Sequence, residues 1–536
     1  MPHLDTFSGN FATKEARHLL KRTSFGVTET MISEAVSLGL EVTITKLFEI
    51  KPLPEPPVKY QLDATIIDPD ANFGETWTNA APLPIAPTNR DRNQILNSRK
   101  RSLYAWSFLQ MQNAGISIRE KMTLFWHNHF VSENNNPHRE FQYINILRSN
   151  ALGNFKELVK QITINPNMLI YLSGNQNSDT APNENYSREL LELFTIGKGI
   201  AVGNGDYTNY TEDDVVQMAK ALTGWRVRGL THEEALIPYF TNNRHSEGSK
   251  TLSHRFNNDV IAENGENEYK DLIDRIFQED ECSRFITRQL YIWFVNSEIT
   301  AEIETNIITP LSKIIRDNNY DIAPALKKLF ASQHFYENVF CMIKSPLDLM
   351  ISSTKSLMAG APTTSITTEY EFAYIMYLAC TDLGQSLYHH PDVAGWKAYY
   401  QKPLFYKTWV NNFFLPKRLD YCKILVTGGK LLINNRNYTV PPLVPVLAIA
   451  ASIENSIDPN ILIKELANRL FNYEIAQGQI DSLKAVLIDG LPDFEWSVEY
   501  SEYLADSTNT TLAISVDKKL RNLVAIMVQM SEFQIM

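Results

Sequence analysis

The sequence is short of glycine, of paired cysteines, of long apolar runs and of concentrated positive charge, and each shortage closes off a class of protein. Its 22 glycines in 536 residues fall well under the ~7% usual in globular chains, which disfavours a fold built on many tight turns. Cys282, Cys341, Cys380 and Cys422 stand far apart, so neither a disulfide framework nor a cysteine-rich zinc site is expected, and the thiols read as reduced core residues. No apolar stretch reaches the roughly 18 residues that a membrane span needs. The N-terminus lacks a basic start followed by an apolar run, so no signal peptide is expected and a cytoplasmic location follows. Lys plus Arg number 50 against 61 Asp plus Glu, a formal charge of −11. Without a concentrated basic surface, nucleic acid is not an expected partner.

What the sequence does contain is helix. Hydrophobic residues make up 44% of the chain, and helical periodicity dominates from about residue 91 onward. Lys14 to Arg22 reads as a helix, and a second runs from Glu29 to Leu38 with Thr28 as N-cap and Gly39 as stop. Lys51 to Val58 holds four prolines and is not helical; the Asp/Asn/Pro-rich chain continues to about Thr88, a loop of a length that is usually functional or disordered. Ser117 to Glu120 and Thr211 to Asp214 both read as capping boxes. Around 237–256 short β-type runs interrupt the pattern. The composition describes a soluble, acidic chain of mainly α class, a large multi-helical single core with a small β-hairpin or irregular excursion near 237–256.

Four segments carry residues suited to chemistry. In the helix over 118–130, Met122, Phe125, Trp126, His129 and Phe130 share one apolar face. His127 lies about 200° away, so the two histidines meet one ion only if the helix ends between them; a hydrogen-bonded core histidine is the competing reading. In the helix over 184–196, Glu184, Arg188 and Glu192 stand at i, i+4 spacing with Glu189 beside them. This forms a partly buried ionic cluster suited either to a metal or catalytic acid or to a structural network. His245, Lys250, His254 and Arg255 sit in the Asn-rich excursion, with solvated surface as the bland alternative. The tandem His389-His390 and Asp392 suggest a metal, but Pro391 and Trp396 argue for a packed loop.

Several familiar motifs fail on spacing. His232-Glu233-Glu234 has no second histidine four residues after the first. Gly197-Lys198-Gly199 does not make a dinucleotide loop, nor Gly428-Gly429-Lys430 a P-loop. Asp68, Asp70 and Asn72 resemble a calcium loop that no glutamate closes.

Read in order, these segments resemble the bacterial domain-of-unknown-function 1800 family. The matching pieces are Ala16 to Gly26, Trp126-His127-Asn128-His129-Phe130, Asn183 to Gly197, Tyr210 to Trp225, Arg284 to Val295, Lys344-Ser345-Pro346-Leu347 and Gly384 to Trp396. They span about 15 to 425; the last hundred residues match least. The resemblance implies a largely helical protein of unassigned activity. It also implies periplasmic or exported work, since members often carry export signals and often neighbour genes of a family related to alkaline phosphatases and sulfatases. Two positions depart from the family pattern: Ser246 where an acid tends to follow the histidine, and His390-Pro391 where two prolines tend to stand. With this resemblance the chain divides into an N-terminal helical pair at 1–50, a Pro/Asn-rich loop at 51–89, a helical family core at 90–425 and a C-terminal helical segment at 426–536 packed on that core.

Two functional readings follow. The first is a non-catalytic scaffold that binds an envelope-associated protein or polymer, with His245, Lys250 and Trp396 as candidate binding residues. The second is a metal-dependent hydrolase-like enzyme with its site between the 118–130 and 184–196 helices. There His127 or His129 serves as base or ligand, Glu189 and Glu192 as acids, Arg188 as anion clamp, and His129, Glu189 and Glu192 as ligands to a divalent cation.

Overall fold

The computed structural model describes residues 4–61, 67–229, 235–357, 364–471 and 473–536, and it is mainly α-helical. Among the described residues the β structure comprises four two-stranded sheets. The expected excursion is two of these: Trp225–Arg228 pairs with Ile237–Phe240, and Lys250–Thr251 with Val260–Ile261. His232-Glu233-Glu234 lies outside the described residues. A hairpin not foreseen joins Gly429–Ile433 to Arg436–Val440. Its turn residues Asn434 and Asn435 both have positive φ, 49° and 61°, the left-handed pair that a tight two-residue hairpin turn requires and that asparagine tolerates.

Local capping explains where helices begin, and competition explains where they depart from expectation. Thr28 accepts from the Met31 amide as predicted, but the helix does not stop at Gly39. Gly39 leaves helical geometry at φ 75°, and the helix resumes to Leu47, held across the break by the Thr43 hydroxyl donating to the Ala35 carbonyl at 3.0 Å. The Thr211 box forms: Asp214 donates its amide to Thr211 Oγ1 at 3.3 Å, and its carboxylate accepts from the Thr211 amide at 2.8 Å. The Ser117 box does not form. Ser117 Oγ accepts only from Arg119 at 3.3 Å, while Glu120 turns to buried Arg148, with Nε and Nη2 each donating at 3.0 Å. A bidentate charge-assisted pair outweighs a single bond to a backbone amide.

The Pro/Asn-rich segment, where described, is a strap on the Asn89–Asn113 helix. Arg99 donates to Asp68 at 2.8 and 2.7 Å and to Asp70 at 2.7 Å, so a guanidinium occupies the acids that resembled a calcium loop. Trp77 Nε1 donates to Ser102 at 3.1 Å, and Trp106 Nε1 to the Glu55 carbonyl at 2.7 Å. Buried apolar side chains form two clusters. The larger holds residues from Ala16 to Val440, and the smaller gathers Leu349, Leu357, Cys422, Val426 and side chains from Val444 to Phe533. All four cysteines are free thiols. Among the described residues no helix is long and apolar enough to cross a membrane.

Candidate functional site

The Arg119–His129 helix is buried on every side: each residue from Glu120 to His129 is out of solvent. One face presents His129 to the neighbouring helix that runs from Glu184 to Glu189 and continues as a wider π turn over Leu190–Thr195. Its Nε2 lies 3.0 Å from the Phe194 carbonyl, so Nε2 carries the proton and donates. The ring packs among Phe125, Trp126, Phe130 and Phe155. Burial pulls its pKa down to about 4, against the opposing backbone bond.

The other face presents His127 and Asn128 to the tandem-histidine segment. The His127 ring lies 4.6 Å from His390 and 5.3 Å from Tyr388, and burial lowers its pKa to about 3. Asn128 Oδ1 accepts from the Trp396 amide at 2.8 Å. Gly395 makes that approach possible, because a Cβ there would fall 2.3 Å from Asn128 Oδ1. Trp396 is 1% exposed, and its ring lies 4.1 Å from His390. These residues form a packed core junction of two family-like segments.

The acidic helix disperses its charges. Arg188 pairs with Glu212 at 2.7 Å and with Glu184 at 3.5 Å. Glu192 instead meets the Tyr210 hydroxyl at 3.2 Å and Lys198 at 3.6 Å. Glu184 is exposed and Glu189 half-buried, so the row is partly buried, as the spacing suggested, but its charges pair with different neighbours instead of all gathering around Arg188. Burial raises the Glu189 pKa, with Glu192 and Asp392 adding to it. Among the described residues no hydrogen bond or ion pair joins His129 to Glu189 or Glu192, and no group of three or more His, Cys, Asp or Glu stands where it could hold a metal ion.

His245 and Lys250 form a different centre. Both flank Glu268, which is 0% exposed: Lys250 Nζ at 2.6 Å and His245 Nε2 at 3.0 Å. The other imidazole nitrogen is 3.0 Å from the Thr223 carbonyl. Burial works against protonation of His245, but Glu268 and the Thr223 carbonyl outweigh it and raise the pKa. This is a sealed ionic staple between the two small ladders and the Glu268–Ile276 helix.

Sequence reasoning missed one arrangement. Glu133 Oε1 lies 2.8 Å from His389 Nδ1, and His389 Nε2 lies 2.9 Å from the Tyr104 hydroxyl. The carboxylate accepts from Nδ1–H, leaving Nε2 to accept the phenol proton. The His389 and Glu133 side chains are 33% and 44% exposed, so this relay runs from solvent to a buried tyrosine. Tyr104 stacks on Tyr388 at 5.3 Å, and Tyr388 in turn meets Ser107 at 2.7 Å. Burial pushes the nearby Glu140 carboxyl well above its ordinary range. The tandem histidines were visible in sequence; Glu133 and Tyr104, each far from them in the chain, were not.

The described surface also holds a groove of about 580 Å³ bounded by the Pro137–Ser149 helix, residues 161–167, Leu236 and Pro238. Gln142, Asn145, Asn150, Gln161, Asn165 and Asn167 line it, and none of its described lining residues is charged. Grooves of similar size elsewhere have charged rims, with Asp517, Lys518 and Arg521 in one and Arg17, Glu29 and Arg469 in another.

Fold and site together define a large helical protein in which His127, His129, His245 and Lys250 are packed inward, the acidic residues of the Glu184–Glu189 helix and its π turn reach the surface, and one of these three grooves has no charge among its described lining residues. The chain belongs to the family described as Protein of unknown function (DUF1800), whose model matches residues 18–535. The match extends past 425 through the C-terminal helices. No curated protein and no solved structure matches the chain.

Proposed function

We propose that the protein is a non-catalytic binding protein of the cell envelope whose uncharged groove takes a stretch of neutral, hydroxyl-rich polymer. The observation that carries this reading is the groove's lining of carboxamides, with no charge among its described lining residues. Amide groups donate and accept at once, which suits vicinal hydroxyls, whereas a charged polymer meets no counter-charge among the described lining residues. Phe141, Tyr143 and Ile146 supply the apolar floor on which a sugar face rests. Gln142 and Gln161 are exposed, so truncating them tests binding without disturbing the core. Calorimetric titration of the full chain with cellohexaose, maltohexaose and chitohexaose is expected to show binding of at least one. In Gln142→Ala/Gln161→Ala that affinity is expected to fall about tenfold, equivalent to about 1.4 kcal/mol. Binding of none, or equal affinity in the variant, overturns the reading.

One observation favours the enzyme alternative, and it lies at His389 rather than at His129. The Glu133–His389–Tyr104 relay has the order of an acid–base system: a carboxylate orients an imidazole that faces a hydroxyl. Hydrolysis of p-nitrophenyl ester, phosphate or glycoside by the full chain, with and without added Zn²⁺, Mn²⁺ or Mg²⁺, supports this alternative if it is lost in His389→Gln. Equal background rates in both proteins rule it out for these substrates.

A further inference from the structure

The carboxamides of the groove are not equivalent, because hydrogen bonds within the protein already claim one end of three of them. Asn145 Oδ1 accepts from Arg148 Nη1 at 2.9 Å. A guanidinium only donates, so the oxygen is committed to Arg148 and Asn145 keeps its NH2 for a ligand. Asn150 Nδ2 donates to the Ile146 carbonyl at 2.9 Å and to Gln161 Oε1 at 3.2 Å. A carbonyl only accepts, which fixes both groups: Asn150 keeps Oδ1 and Gln161 keeps Nε2. All three residues line the groove. The atoms left over, Asn145 Nδ2, Asn150 Oδ1 and Gln161 Nε2, have no hydrogen-bond partner among the described residues. Gln142, Asn145, Ile146 and Ser149 stand at i, i+3, i+4 and i+7 of the Pro137–Ser149 helix and share one face, which sets the apolar Ile146 among the amides.

We propose that the groove selects a polymer of N-acetylated hexosamine, an inference that rests on the carbohydrate reading above and narrows it. A hydroxyl donates and accepts, so either end of an amide satisfies it. An acetamido group is directional: its C=O and N–H point opposite ways across a trans amide. Its oxygen accepts from Asn145 Nδ2, its N–H donates to Asn150 Oδ1, and its methyl rests on Ile146. Asn145 and Asn150 are five residues apart, a rise of about 7.5 Å along a helix. A trans amide with a hydrogen bond at each end spans about 8 Å between its partners. Gln161 Nε2 donates to a ring hydroxyl beside the acetamido group.

Calorimetric titration of the full chain with chitohexaose, cellohexaose and hexaglycine tests this. The two sugars share a backbone and differ in the acetamido group, so their comparison needs no variant. Chitohexaose is expected to bind about tenfold tighter than cellohexaose, the worth of one well-made pair of hydrogen bonds to a neutral group. Asn145→Asp keeps the oxygen that Arg148 holds and removes the free NH2, and the preference is expected to fall severalfold. Gln161→Glu keeps the acceptor for Asn150 and loses a donor to a hydroxyl that both sugars carry, so it is expected to weaken both alike. Equal binding of the two hexasaccharides, or an undiminished preference in Asn145→Asp, overturns the N-acetyl inference and leaves the carbohydrate reading standing. Binding of neither sugar overturns both, and hexaglycine bound in their place would make an extended peptide the occupant.

Discussion

The carboxamide groove and the motif core handle polar groups in opposite ways. In the groove, Gln142 and Gln161 face solvent and none of the described lining residues carries a charge that needs a partner. In the core, His127, His129, His245 and Lys250 are all buried, and each is bound or packed by a group distant in sequence. The contrast separates two kinds of importance: residues that hold the fold together and residues placed where a ligand can reach them. Of the candidate chemical residues, His127, His129, His245 and Lys250 are buried, whereas Arg188, Glu189 and Glu192 reach the surface.

If that separation holds, core substitutions cost stability, whereas groove substitutions cost binding alone. The largest effect is expected from Glu268→Gln, which strands Lys250 in the interior. Removing one partner of a buried pair costs about 3–5 kcal/mol, read as a lower urea midpoint at unchanged slope. Adding Lys250→Met to that variant is expected to restore part of the loss, and no recovery would show that the staple does not act as a unit.

Next in size is an acid effect. His127 and His129 have pKa values near 3 and 4 when folded against about 6.5 unfolded. Below pH 6.5 the unfolded chain therefore takes up protons that the folded chain refuses, and stability falls with pH until the folded values are reached. At 1.36 kcal/mol per unit, each histidine contributes about 2 kcal/mol of loss between pH 6.5 and 5. Urea unfolding of wild type and His129→Phe across that range checks this, the variant being expected to show the shallower dependence. Identical dependence would mean that His129 is not held neutral.

The smallest stability effect is expected in the groove. Gln142→Ala/Gln161→Ala should move ΔG by less than about 0.5 kcal/mol, as exposed substitutions do. A loss comparable with that of Glu268→Gln would place the groove among the structural elements and remove the contrast.

How much of this was legible in the sequence depended on distance along the chain. Thr28, Thr211 and the helical class rest on interactions within four residues, and those readings match the structure. The Ser117 box failed because Glu120 had a competitor 28 residues away in Arg148, and Gly39 produced a kink because the residues after it still had a core to bury Ile44 and Leu47 in. The Asn434-Asn435 turn is likewise local, since tandem asparagines tolerate the positive φ that a two-residue hairpin turn requires. In the site, the tandem histidines were seen, but the partners that give His389 its geometry lie 256 and 285 positions away, and Glu268 lies 23 from His245. Periodicity places a side chain on a face; it does not say which distant residue meets that face.

The central claim, that ligands enter at the uncharged groove and not at the histidine junction, is tested most directly by hydrogen–deuterium exchange of the full chain with and without the hexasaccharide that binds. Protection confined to peptides covering 141–150, 161–167 and 235–240 is the predicted result. Protection at 384–396 and 127–133 with none in the groove would contradict it.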